Sequence, residues 1–120
     1  MTLEEKVRLI TAVLEGKKGE DVVTLDLRGM SSIVDAFILA SAQATVQAQS
    51  MADDVERAMK EEGVHCWLTE GYTQGRWILM DYGDVVVHIF SKETRCLYDL
   101  DRLWGDAPRL SKGTQGGPNV

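Results

Sequence analysis

Asp26, Asp35, Asp81 and Asp84 are the carboxylates that invite a catalytic reading, because clustered carboxylates hold Mg²⁺ for phosphoryl or nucleotidyl transfer. A nucleotidyltransferase would carry an Asp-x-Asp pair on one strand after a Gly-Ser turn. Here the Ser31-Ser32 turn is followed by a single Asp35, and an aspartate at a strand end is usually a turn or cap residue. His65, Cys66, His88 and Cys96 are the zinc-ligand types present. Neighbouring side chains on a strand point to opposite faces, so His65 and Cys66 do not readily face one ion. Cys96 with His88 as nucleophile and base is equally weak, since a thiol among apolar helix neighbours is more often inert packing. Neither Gly-x-Gly-x-x-Gly nor Gly-x-x-x-x-Gly-Lys occurs, which leaves nucleotide binding without a basis. No cofactor, no metal and no enzymatic activity are therefore expected, with a residual nucleotidyl- or phosphotransferase or a dimeric scaffold for another protein as the alternatives.

The run Trp77-Ile-Leu-Met-Asp-Tyr-Gly-Asp-Val-Val-Val-His-Ile-Phe says more. Apolar and aromatic residues occupy both alternating faces of what reads as a hairpin, so both faces need covering. Helices can cover one; the other can meet a second copy or another protein, and aromatic anchors are enriched at such contacts. From pattern alone Trp77 and Phe90 serve equally well as plain core. The chain carries a net charge of −6, and Arg76, Lys92, Arg95, Arg102 and Arg109 are scattered among acids. That disfavours a phosphate-backbone groove and suits a basic protein partner better.

The elements that would position these residues follow from spacing. Leu3, Val7, Ile10 and Leu14 predict a helix over 2–15, opened by a Thr2/Glu5 capping box and closed at Gly16. Strands are predicted over 21–27 and 35–41, and these two can pair. A helix follows over 44–62, with Val46, Met51, Val55, Ala58 and Met59 as its narrow stripe and Gly63 as its stop. Three strands come next, over 64–70, 77–81 and 85–90, the last two joined by a tight turn at Tyr82-Gly83. A helix over 92–104 carries Leu97, Leu100, Leu103 and Trp104, and a Gly-rich tail from Gly105 is expected to fray. The expected fold class is α/β: a single domain over 1–110 with a mixed five-stranded sheet and helices packed on it, and a flexible tail over 111–120. With 120 residues, 44% of them hydrophobic, the chain is long enough for one such core. Cys66 and Cys96 are expected as reduced thiols and small core residues. The absence of an apolar run of membrane length and of a signal-peptide start predicts a cytoplasmic protein without membrane contact.

From Val7 to Leu110 the chain resembles the ribosomal silencing factors, also called the RsfS or Iojap-like family. The resemblance is densest at Glu70-Gly71, in the Trp77 to Phe90 run, at Arg95, and in Tyr98-Asp-Leu-Asp-Arg-Leu-Trp-Gly-Asp-Ala. Val23 to Leu27, Asp35 to Ser41 and Gln47 to Val55 resemble the family's paired early strands and the helix after them. Ala42, Ala44 and Val46 depart from it, standing where the family usually has a Gly, a capping Ser and an Arg; Thr45 is expected to take over the cap. The resemblance implies a nucleotidyltransferase-like fold without the catalytic carboxylates. It also implies binding to the large ribosomal subunit through ribosomal protein L-fourteen, steric exclusion of the small subunit, repression of translation under nutrient limitation, and a homodimer off the ribosome. Trp77, Leu79, Met80, Asp81, Tyr82, His88, Phe90 and Tyr98 are the candidate partner-binding residues, and strand alternation forbids all of them from sharing one face.

Overall fold

Residues 1–110 are described by a computed structural model. In chain order the elements are α1 (Leu3–Gly16), β1 (Glu20–Asp26), β2 (Ala36–Ala42), α2 (Thr45–Glu61), β3 (Leu68–Glu70), β4 (Trp77–Asp81), β5 (Val85–Ser91), α3 (Lys92–Tyr98) and α4 (Leu100–Leu103). The five strands form one mixed sheet in the order β1-β2-β5-β4-β3. Only β2 and β5 run parallel, with Leu39 opposite His88, while the other neighbours are antiparallel. The predicted fold class and the pairing of β1 with β2 are thus both found. The predicted tail over 111–120 lies outside the described residues.

Alternation along the central strands divides the molecule into two cores. Ile38, Ala40, Ile78, Met80, Val85, Val87 and Ile89 point to one side, where Val7, Ile10 and Leu14 of α1 and Met51, Val55 and Met59 of α2 close over them. Leu25, Leu39 and Phe90 point to the other side and meet Ala107, with Phe37, Trp77, Leu100 and Trp104 partly buried around them.

Local chemistry explains the element ends. Thr2 Oγ1 accepts from the Glu5 amide at 3.1 Å, and the Glu5 carboxylate accepts from the Thr2 amide at 2.8 Å, which is the expected capping box. The cap expected from Thr45 is not made. Thr45 is the first residue of α2, one place too late to reach the orphan amides, and its hydroxyl donates to the Gln74 carbonyl instead. Gln47 partly offsets the loss: its Oε1 accepts from the Gln43 amide at 2.7 Å, and its Nε2 donates to the Lys17 and Lys18 carbonyls at the end of α1. Val46 is exposed rather than part of the helix's buried stripe.

The strand predicted over 64–70 is shortened to Leu68–Glu70. Gly63 takes a left-handed conformation and donates to the Lys60 carbonyl, while the Val64 amide donates to the Met59 carbonyl. Val64 is therefore used to close α2 and is unavailable to the sheet. The single helix predicted over 92–104 is broken at Asp99, whose φ of 46° is left-handed and whose carboxylate caps α4 by accepting from the Arg102 amide. Residues 105–110 do not fray: Arg109 bridges to Leu25, and Ala107 is buried. Cys66 is only half-buried and Cys96 is exposed, so neither is the core residue expected, though both are free thiols.

Candidate functional site

Three of the four candidate carboxylates are held in structural duties. Asp26 binds Arg28 through both carboxylate oxygens, at 2.9 and 2.7 Å. That guanidinium contact, more than any other, holds the Asp26 carboxyl below its ordinary range. Asp84 pairs with Lys6 at 3.0 Å, and Asp81 Oδ1 accepts from the Gly83 amide at 2.8 Å, shaping the hairpin turn. Among the described residues no three of His, Cys, Asp or Glu converge on a point where they could hold a metal ion.

What the fold does gather is an aromatic surface on the side of the sheet away from α1 and α2. Trp77, Leu79 and Asp81 of β4 alternate onto it, as do Val86, His88 and Phe90 of β5. Phe37 reaches it from β2, and Tyr98 from α3 lies with its ring centre 4.9 Å from that of Trp77. Leu68 and Glu70 of β3 stand cross-strand from Asp81 and Leu79 and extend the surface to the sheet edge. Met80 and Tyr82 are not on it. Their relative exposures are 1% and 3%, and they lie in the core beneath α1 and α2, as the period of a strand requires. Phe90 and His88 are buried too, so they form a floor beneath the half-buried Trp77, Leu79 and Asp81 and the exposed Tyr98.

His88 organises this floor. The Trp77 indole Nε1–H donates to His88 Nδ1 at 3.0 Å. An indole nitrogen can only donate, so Nδ1 carries the lone pair and Nε2 the proton of a neutral ring. Burial alone lowers the His88 pKa to about 4, which keeps the ring uncharged at neutral pH. Phe37 meets His88 edge-on at 4.6 Å, and Phe90 stacks near-parallel at 5.9 Å. Both geometries are the favoured ones for aromatic pairs.

The helix α3 packs over β5 and β2 on this face, and its Tyr98 reaches Trp77 on β4. Arg95 fixes it there: its Nη1 donates to Ser41 Oγ on β2 at 3.0 Å, and its Nε and Nη2 grip the Asp101 carboxylate at 3.1 and 3.2 Å. Trp104 adds a perpendicular contact to Phe37 at 5.9 Å. Sequence reasoning gave no part in the site to Arg95, Phe37 or Trp104. The dense block from Arg95 to Ala107 marked the region, but the pairing of Arg95 with a serine on β2 bridges 54 positions and has no local pattern.

Among the described residues the arrangement gathers aromatic and apolar side chains on one face of the sheet. Residues 1–118 match the family described as "Ribosomal silencing factor during starvation". The chain belongs to that family. Two relatives called ribosomal silencing factor RsfS are 41% identical in Halalkalibacterium halodurans and 36% identical in Bacillus subtilis. The first match covers 92% of this chain and 94% of the relative, the second 90% and 92%. A solved structure from Chromobacterium violaceum superposes with a TM-score of 0.85 at 36% identity, covering 88% of each chain. As its name says, a ribosomal silencing factor has a regulatory role on the ribosome rather than a catalytic one. No helix among the described residues is long and apolar enough to cross a membrane.

Proposed function

We propose that this ribosomal silencing factor docks on the large ribosomal subunit, against ribosomal protein L-fourteen, and sterically blocks the joining of the small subunit. Translation falls in consequence, above all under nutrient limitation, and the site of action is the cytoplasm. The observation that carries the proposal is the part of the sheet face along β4 and β3, which α3 does not pack over. There Trp77, Leu79 and Tyr98 offer apolar contact, and Glu70 and Asp81 supply a negative rim. An apolar centre within a charged rim is the usual anatomy of a protein interface, and the acidic sign suits a basic ribosomal protein. The Trp77–His88 hydrogen bond holds the indole in place before binding, which lowers the ordering cost of association.

The mechanism needs no chemical step. A patch of about 800 Å² on each partner is enough for a specific complex, and excluding the small subunit follows from occupying the surface it would use. Off the ribosome the same apolar face lets two copies meet as a homodimer, which sedimentation equilibrium would register as twice the chain mass. The docking test is binding of purified L-fourteen to the wild type, to Leu79→Arg and to Met80→Leu. Leu79→Arg is expected to abolish binding and the core variant Met80→Leu to retain it. Equal binding by all three would refute the assignment of this face.

A further inference from the structure

The two edges of the sheet are finished differently. Along β1 the Asp26 amide donates to the Pro108 carbonyl at 2.7 Å, and the Leu110 amide donates to the Thr24 carbonyl at 3.0 Å, so the chain covers its own edge. At the opposite end of the strand order, β3 is the last strand, and Leu68, Thr69 and Glu70 are all exposed. Proteins usually guard such an edge with Lys, Pro or a bulge, because its free backbone groups are a template for another strand. Here the run from Val64 to Gly75 contains no Lys, Arg or Pro. It presents apolar surface instead, with Trp67 75% and Leu68 48% exposed. Trp67 closes against the hairpin turn at Gly83, where a Cβ would lie 3.0 Å from the indole.

Acidic groups flank this edge. Glu70 is on the strand itself, and the Tyr72 hydroxyl donates to Asp53 of α2 at 3.0 Å. The Tyr72 phenol is pushed up by that hydrogen bond first, by burial next, and then by the charges of Asp53 and Glu56. A second copy of the chain would bring these carboxylates to a shared seam, and like charges set opposite each other are destabilising. RNA would be repelled by the same groups.

We propose that the β3 edge accepts an extended cationic protein segment, which adds to the sheet through backbone hydrogen bonds to Leu68–Glu70 while its Lys or Arg side chains reach Glu70 and Asp53. This is strand addition with charge selecting the partner. Glu70 is shared with the rim proposed for L-fourteen, whereas backbone pairing along β3 is not, so a backbone N-methylated probe separates the two readings.

The test titrates isotope-labelled protein with acetyl-Lys-Lys-Val-Lys-Lys-Val-Lys-amide, whose lysines fall on both faces of an extended strand, and follows amide shifts and hydrogen exchange. The expected result is perturbation and slowed exchange centred on Trp67 to Glu70, with binding that weakens as salt is raised. Leu68→Lys and Glu70→Lys should each weaken binding by about tenfold or more, the equivalent of roughly one hydrogen-bonded pair. A backbone N-methylated probe should not bind. Circular dichroism of each variant checks the fold; if Leu68→Lys unfolds, Glu70→Lys and the N-methylated probe decide the matter. Unperturbed β3 amides would overturn the proposal, as would equal binding by a Glu-for-Lys probe or by the N-methylated probe. Protection of the same amides by self-association without any probe would assign the edge to a second copy and overturn it as well.

Discussion

Replacing His88 by Gln removes a buried titratable ring while keeping a side-chain acceptor within reach of the Trp77 indole. The folded protein holds His88 near a pKa of about 4, against 6.5 for an unperturbed imidazole. Between those values the unfolded chain binds the proton and the folded chain does not, so stability falls as pH drops through the window and is flat with respect to this group above it. At about 1.4 kcal/mol per unit the full loss is roughly 3 kcal/mol, with a slope approaching 1.4 kcal/mol per pH unit at its steepest. Urea unfolding from pH 7 to pH 4.5 measures this in wild type and His88→Gln. Carboxylates titrate in both proteins, so the difference between the two slopes isolates the imidazole. Glutamine also loses the ring contacts with Phe37 and Phe90, which lowers the variant's stability at every pH without altering that difference. Parallel pH profiles would refute the buried neutral histidine and with it the tautomer that seats Trp77.

Three further outcomes rest on individual contacts. Gly71→Ala should destabilise the fold by more than about 2 kcal/mol in chemical denaturation, because the glycine has a φ of 79° and an added Cβ would overlap the Trp77 carbonyl. Arg95→Ala should cost about 2 kcal/mol by the same assay, since it strands Asp101 and Ser41, and should speed proteolysis within residues 92–110. Thr2→Ala should cost about 1 kcal/mol and raise amide exchange in the first turn of α1, whereas Thr45→Ala should leave exchange at the start of α2 almost unchanged because Thr45 makes no cap.

Much of the fold was legible because it is written in short-range periodicity. The β4–β5 hairpin follows from alternation about a glycine turn, and Gly83 does take the left-handed φ, of 90°, that such a turn needs. The first helix was readable from one capping box and an apolar stripe. Misreadings came where a residue had two possible duties. Val64 has strand propensity yet closes α2, and Asp99 fits a helical spacing yet breaks it by capping the next turn. Cys96 sits among apolar helix neighbours yet is exposed, while Leu100 and Trp104 of the same stretch pack partly buried against the second core. The candidate site was half legible: alternation alone separates Trp77, Leu79 and Asp81 from Met80 and Tyr82. Which set faces the helices depends on contacts distant in sequence, such as those of α1 with the central strands, and no local spacing encodes it.

The most direct measurement follows joining of purified ribosomal subunits by light scattering, with wild type or Leu79→Arg pre-incubated with the large subunit. Docking through the sheet face along β4 and β3 predicts that the wild type lowers the yield of joined ribosomes in proportion to its concentration and that Leu79→Arg, though folded, leaves the yield unchanged. Undiminished joining with the wild type, or equal inhibition by both proteins, would contradict it.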